Sequence, residues 1–138
     1  MKALTLTCIL LFVTGCVTRL DGQVLDQSLR DGRYYVERQV NDDRNLNAGI
    51  AEELRKRGID ATAGEAADKP DDAAYTVNYI DRWYWDMRMY LIDLRIEVRD
   101  RNSTLVGYGE SRQTSLAAMG KTHTDIINRA LDQMLEPE

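Results

Sequence analysis

The chain has 138 residues, 30% of them charged, and a formal net charge of −5 at pH 7. That length suits one compact domain, and the acidic balance argues against a surface built to grip a polyanion, so nucleic acid is set aside as a partner. One histidine and two cysteines leave little material for metal or nucleophilic chemistry.

The first predicted element is residues 1–15. Lys2 supplies a positive charge, residues 3–13 are apolar apart from Thr5, Thr7 and Cys8, and Thr14 and Gly15 are small. This is the three-part layout of a secretory signal peptide. The apolar run is well short of the ~20 residues that a membrane-spanning helix needs. It closes as Val13-Thr14-Gly15-Cys16, which resembles the lipobox of bacterial lipoproteins. The resemblance implies cleavage before Cys16, a diacylglycerol on its thiol and an acyl chain on the new amine. Each buried methylene of such chains contributes ~0.8 kcal/mol, and two or more chains anchor a protein stably. In that family an aspartate after the cysteine retains the protein at the inner membrane. Val17 stands there instead, which implies an outer-membrane address facing the periplasm. With Cys8 removed and Cys16 acylated, no thiol remains for a disulfide, a metal or catalysis.

Residues 16–32 then read as a lipidated N-terminus and tether, or a short helix, with Leu20, Val24, Leu25 and Leu29 available to pack on a domain. Residues 33–138 read as a single domain. Residues 33–39, rich in Tyr and Val after Gly32, predict a first strand. Asn41, Asp42 and Asp43 can cap the helix that follows. There Leu46, Ile50 and Leu54 form one apolar stripe, Arg55, Lys56 and Arg57 occupy the last turn, and Gly58 ends it. Residues 59–63 suggest a short strand, and 64–72 a polar loop.

The clearest strand signal comes next. Tyr75, Val77, Tyr79, Trp83 and Trp85 share one parity, with Asp81 the exception, and Thr76, Asn78 and Arg82 take the other. Tyr90, Ile92, Leu94, Ile96 and Val98 then alternate with Asp93, Arg95, Glu97 and Arg99. Period-two alternation of this length predicts a sheet buried on one face and wet on the other. Turns are expected at 86–88 and 100–103. A last strand at 105–114 is loosened by Gly107 and Gly109, and a helix starts near Thr122, with Asp125 at capping-box spacing. Ile126, Ile127, Ala130, Leu131, Met134 and Leu135 give its apolar face, and Pro137 follows. The fold class expected is α+β: a two-layer sandwich of a mainly antiparallel sheet of four or five strands, with two helices on one face.

Catalytic readings are thin. His123 at a helix start has no nucleophile or orienting partner in the pattern, and an exposed first-turn role is favoured over a general base. Ser115 to Thr122 ends in Gly-Lys-Thr like a phosphate loop, but Ser115 stands where the first glycine is required, so nucleotide binding is set aside. No spacing fits a zinc or calcium site. No catalytic residue, metal ligand or cofactor is therefore assigned. What remains is aromatic. Trp83, Tyr84 and Trp85 are consecutive near a hairpin end and cannot all face inward, so they are the candidate partner-binding residues.

Leu54 to Gly58, the two long strands at 75–86 and 89–100, and the helix at 125–135 also resemble the pattern of small uncharacterised Gram-negative envelope lipoproteins. That resemblance is architectural and brings no active-site residue. It implies a non-enzymatic, lipid-anchored protein that contacts the membrane through its N-terminal lipid and serves an envelope protein partner as a binding or assembly accessory factor. The alternative is a lipoprotein that binds a small lipid or peptidoglycan fragment in a cleft between helix and sheet.

Overall fold

A computed structural model describes residues 18–136. Cys16 and the signal peptide, as well as Pro137, lie outside the described residues. Strands β1 (Thr18–Gln23), β2 (Tyr34–Glu37), β3 (Ala61–Gly64), β4 (Tyr75–Asp86), β5 (Arg88–Arg99) and β6 (Leu105–Gln113) make one sheet in the order β1-β6-β5-β4-β2-β3. The helices are α1 (Leu46–Lys56), the short α2 (Ser115–Ala118) and α3 (His123–Leu135).

The class is α+β, as the alternation and the two stripes predict. The sheet differs in detail. It has six strands, not four or five, and it is mixed: β2 runs parallel to both β3 and β4. The reason is the position of α1. A strand followed by a helix returns to the sheet as a crossover, so β3 enters in the same direction as β2.

The larger correction is at the N-terminus. From Thr18 on, the described part of this segment is neither a free tether nor a helix throughout, because Thr18–Gln23 pairs antiparallel with β6 as an edge strand, and Leu25 is buried. The sequence Thr-Arg-Leu-Asp-Gly-Gln has no apolar alternation, since most of β1 is exposed. It is a strand because β6 offers a row of unpaired backbone groups that it satisfies.

Helices α1 and α3 lie side by side over one face of the sheet. Leu46, Ile50 and Leu54 of α1 and Ile126, Ile127, Ala130, Leu131 and Met134 of α3 meet Val36, Val77, Tyr79, Leu94, Ile96 and Val98 in one buried cluster. Arg57 ties the two helices, donating to Asn128 Oδ1 at 2.8 Å and Asp132 Oδ1 at 2.6 Å. Helix α3 sits so close to the sheet because of glycine. Gly22 and Gly109 are direct cross-strand partners. A Cβ on Gly109 would fall 1.7 Å from the Ala130 carbonyl oxygen, and one on Gly22 2.7 Å from that of Gln133. Gly109 does not loosen β6; with Gly22 of β1 it forms the seat of α3.

The α1 start is held from a distance. Asn45 adopts φ 55° and caps nothing with its side chain. Instead the buried Asp42 carboxylate accepts from Arg44 N at 2.9 Å, Asn47 N at 3.3 Å and the Tyr79 hydroxyl at 2.6 Å. Burial pushes this carboxyl up, but the Tyr79 bond and the backbone donors outweigh it and hold it below the ordinary aspartate value. At the other helix the expected capping box forms: Asp125 N donates to Thr122 Oγ1, and Thr122 N to the Asp125 carboxylate. The opposite face of the sheet is a lattice of exposed and half-buried ion pairs, among them Arg95 with Glu97 at 2.7 Å and Arg112 with Asp93 at 2.9 Å.

Candidate functional site

The β4–β5 hairpin carries the candidate residues, and its two strands treat the alternation differently. Strand β4 keeps it: Val77 and Tyr79 are buried, Trp83 is half-buried, and Trp85, on the same face, is 68% exposed. Strand β5 does not. The pairing passes from Arg82↔Asp93 to Trp83↔Leu91, leaving Ile92 without a partner. Such a bulge rotates the rest of the strand. Beyond it Leu91, not Tyr90 or Ile92, enters the core. The inward run expected from Tyr90 and Ile92 is thereby corrected; period two is broken by one extra residue that no composition signal marks.

The tip pairs Tyr84↔Tyr90, Trp85↔Met89 and Asp86↔Arg88, and Met87 turns it at φ 60°. Tyr84 is 43% exposed and Met87 91%, and Met89 is also exposed. Leu116, on α2 beside β5, stands out at 65%. The Arg88 guanidinium lies 4.6 Å from the Tyr90 ring centre and donates to the Met119 carbonyl at 3.2 Å.

The three consecutive aromatics thus divide. Tyr84 and Trp85 are presented to the surroundings. Trp83 is not: its ring meets the His123 ring edge-on at 5.0 Å, the Arg44 guanidinium stacks 4.3 Å from it, and its Nε1 donates to the Asp81 carboxylate. That contact explains Asp81, the polar exception on the inward face. His123 is the first residue of α3 and is exposed, as expected of a first-turn residue, with one side of its ring against Trp83. Burial, and then Arg44, hold it below the ordinary histidine value. Sequence reasoning missed Met87, Met89 and Leu116 as members of the surface. The methionines beside a Trp-Tyr-Trp run were the available signal; Leu116 comes from a different element and left none.

The Gly-Lys-Thr step lies between α2 and α3. Thr122 caps α3, and Lys121 Nζ lies 3.3 Å from the Ala117 carbonyl and 3.4 Å from Thr18 Oγ1. Arg88, Met89, Tyr90, Met119 and Lys121 line a shallow groove of about 540 Å³ between this loop and the hairpin. Among the described residues no group of three or more His, Cys, Asp or Glu could hold a metal ion, and no helix is long and apolar enough to cross a membrane.

No protein-family model matches the chain, and no curated protein matches it. Solved structures do. The chain is similar to the PelC dodecamer from Paraburkholderia phytofirmans, with a TM-score of 0.61 at 14% identity over 88% of this chain and 96% of that one. A point variant of that dodecamer in another space group gives 0.57 at 18% identity, over 86% and 98%. A minor lipoprotein from Acinetobacter baumannii matches at 0.34 and 15% identity, over 70% and 85%; that score is too low to argue from. The PelC likeness shows a shared fold.

Proposed function

We propose that this protein is a lipid-anchored envelope lipoprotein without enzymatic activity, held at the outer membrane, facing the periplasm, and serving an envelope protein partner as a binding or assembly accessory factor. The observation that carries the reading is Val13-Thr14-Gly15-Cys16 placed two residues before β1. The globule then begins almost at its anchor, so its function is exercised against the membrane rather than at the end of a leash. The exposed hairpin tip supplies a contact surface, and the fold is one that in PelC builds a dodecamer. The small-ligand alternative has less support. A lipid or peptidoglycan fragment would need room between helix and sheet, and that interface is filled by Leu94, Ile96, Leu131 and Met134, with α3 backbone against Gly109.

Intact-mass analysis of the protein extracted from envelopes tests the anchor. The expected species lacks residues 1–15 and carries diacylglycerol and an acyl group at Cys16, and Cys16→Ser abolishes both changes. A free thiol, or a retained leader in the unsubstituted chain, would overturn the reading. Crosslinking in the same envelopes reports the neighbours.

A further inference from the structure

We propose that the β4–β5 hairpin tip, with Leu116 of α2, is a second membrane contact that embeds at the lipid interface beside the acyl chains. The inference rests on the lipoprotein reading above and names what the exposed tip of that protein meets.

Position is the first argument. Thr18 pairs with Gln113, and the Gln113 side chain donates to the Leu91 carbonyl at 2.9 Å. Lys121 links Thr18 to the α2–α3 loop, and Arg88 of the hairpin donates to Met119 of the same loop. The start of β1 and the hairpin tip therefore leave the sheet at one end. Reach is the second. Cys16 is two residues before Thr18 and lies at most about 7 Å from it. From Leu91 to Met89, the partner of Trp85, is also two residues, a rise of about 7 Å along the strand. An acylated Cys16 thus brings the bilayer surface within reach of the level where Trp85 projects.

Chemistry is the third. Tyr84, Trp85, Met87, Met89 and Leu116 are apolar or amphipathic and exposed. Tyrosine and tryptophan rings favour the headgroup boundary, where one end is apolar and the other wet. The Arg88 guanidinium stacks on Tyr90 beside this surface, and an arginine there can keep its cationic head at the headgroup level. Asp86 and Arg88, the two charges of residues 84–90, face each other in register, so the tip carries no net charge into the interface. The tip can meet this surface by virtue of the anchor alone, whereas a protein partner would have to enter between tip and bilayer.

The test uses the lipidated full-length product in vesicles of phosphatidylethanolamine and phosphatidylglycerol. Trp83→Phe leaves Trp85 as the reporter, and Trp85→Phe leaves Trp83, whose emission then checks that the fold is intact. The expected result is a blue shift of Trp85 on vesicle binding, loss of its quenching by aqueous iodide, and quenching by lipids brominated near the headgroup end of the chain. The Trp85→Phe protein should lack the lipid-quenched component. Co-flotation with vesicles while Trp85 stays open to iodide sinks the second contact and leaves the anchor standing. Failure to co-float at all sinks both. Protection of Trp85 in native envelopes but not in pure lipid assigns the tip to a protein partner and overturns the proposal.

Discussion

The root and the tip of the β4–β5 hairpin are built from the same kind of residue and have opposite fates. At the root, Val77, Tyr79, Ile96 and Val98 are fully buried under α1 and α3; at the tip, Tyr84, Trp85, Met87 and Met89 face outward. Trp85 shares the face of Tyr79, six residues away on one unbroken strand. Its exposure is not a matter of parity. The covering layer ends before the strands do, and what helices bury at one end is left exposed at the other.

The sharpest way to break that contrast is at the root. Ile96→Ala deletes a fully buried side chain between the sheet and α3, and should cost ~2–5 kcal/mol, read as a lowered midpoint in urea unfolding.

Tyr79→Phe should cost less, ~1–3 kcal/mol, because it removes one donor and leaves the buried Asp42 carboxylate short of a partner. It should also show in the acid limb. Asp42 is depressed in the folded state, so its contribution is fully present above the ordinary aspartate pKa and fades as pH falls through the native value. Without the Tyr79 bond the native value rises toward the unfolded one and that contribution shrinks. The variant should therefore lose less stability than the parent between about pH 5 and 3, and a gap that instead widens on acidification would show that Asp42 is not the group concerned. His123 works in the same direction nearer neutrality: being depressed, it weakens the fold as pH falls below the ordinary histidine range.

The smallest effect is expected at the tip. Trp85→Ala should change unfolding stability by no more than ~0.5 kcal/mol, since the ring lies outside the core. A loss comparable to that of Ile96→Ala would mean that the tip is folded against the domain after all, and the contrast between the two ends would disappear.

Much of this was legible from the residues alone. The stripes Leu46-Ile50-Leu54 and Ile126-Ala130-Leu131 announced both long helices, and the Thr122–Asp125 capping box forms as its spacing requires. The alternation of 75–85 and 94–98 announced the central strands. Of the candidate site, the exposure of Tyr84 followed from consecutive bulky rings that cannot all face inward, whereas Trp85 lies on the inward parity and is exposed only because the covering layer ends before it. Strand β1 was not legible, because an edge strand needs only backbone partners and β6 provides them. Nor was the bulge at Ile92, which exists only as a relation between two strands.

The residue order by itself determined the local periods, the helix caps, the scarcity of reactive side chains and the lipobox-like run ending at Cys16, because each depends on neighbours a few positions apart. Only the tertiary structure decided that Thr18 starts a strand at the hairpin-tip end of the sheet, that Trp83 belongs to His123 and Arg44 while Trp85 does not, and that Gly22 and Gly109 together seat α3. Those are relations across roughly 20 to 110 positions of chain. They are set by where the packed layers stop and which backbone edges remain unpaired, and no window of sequence contains that information.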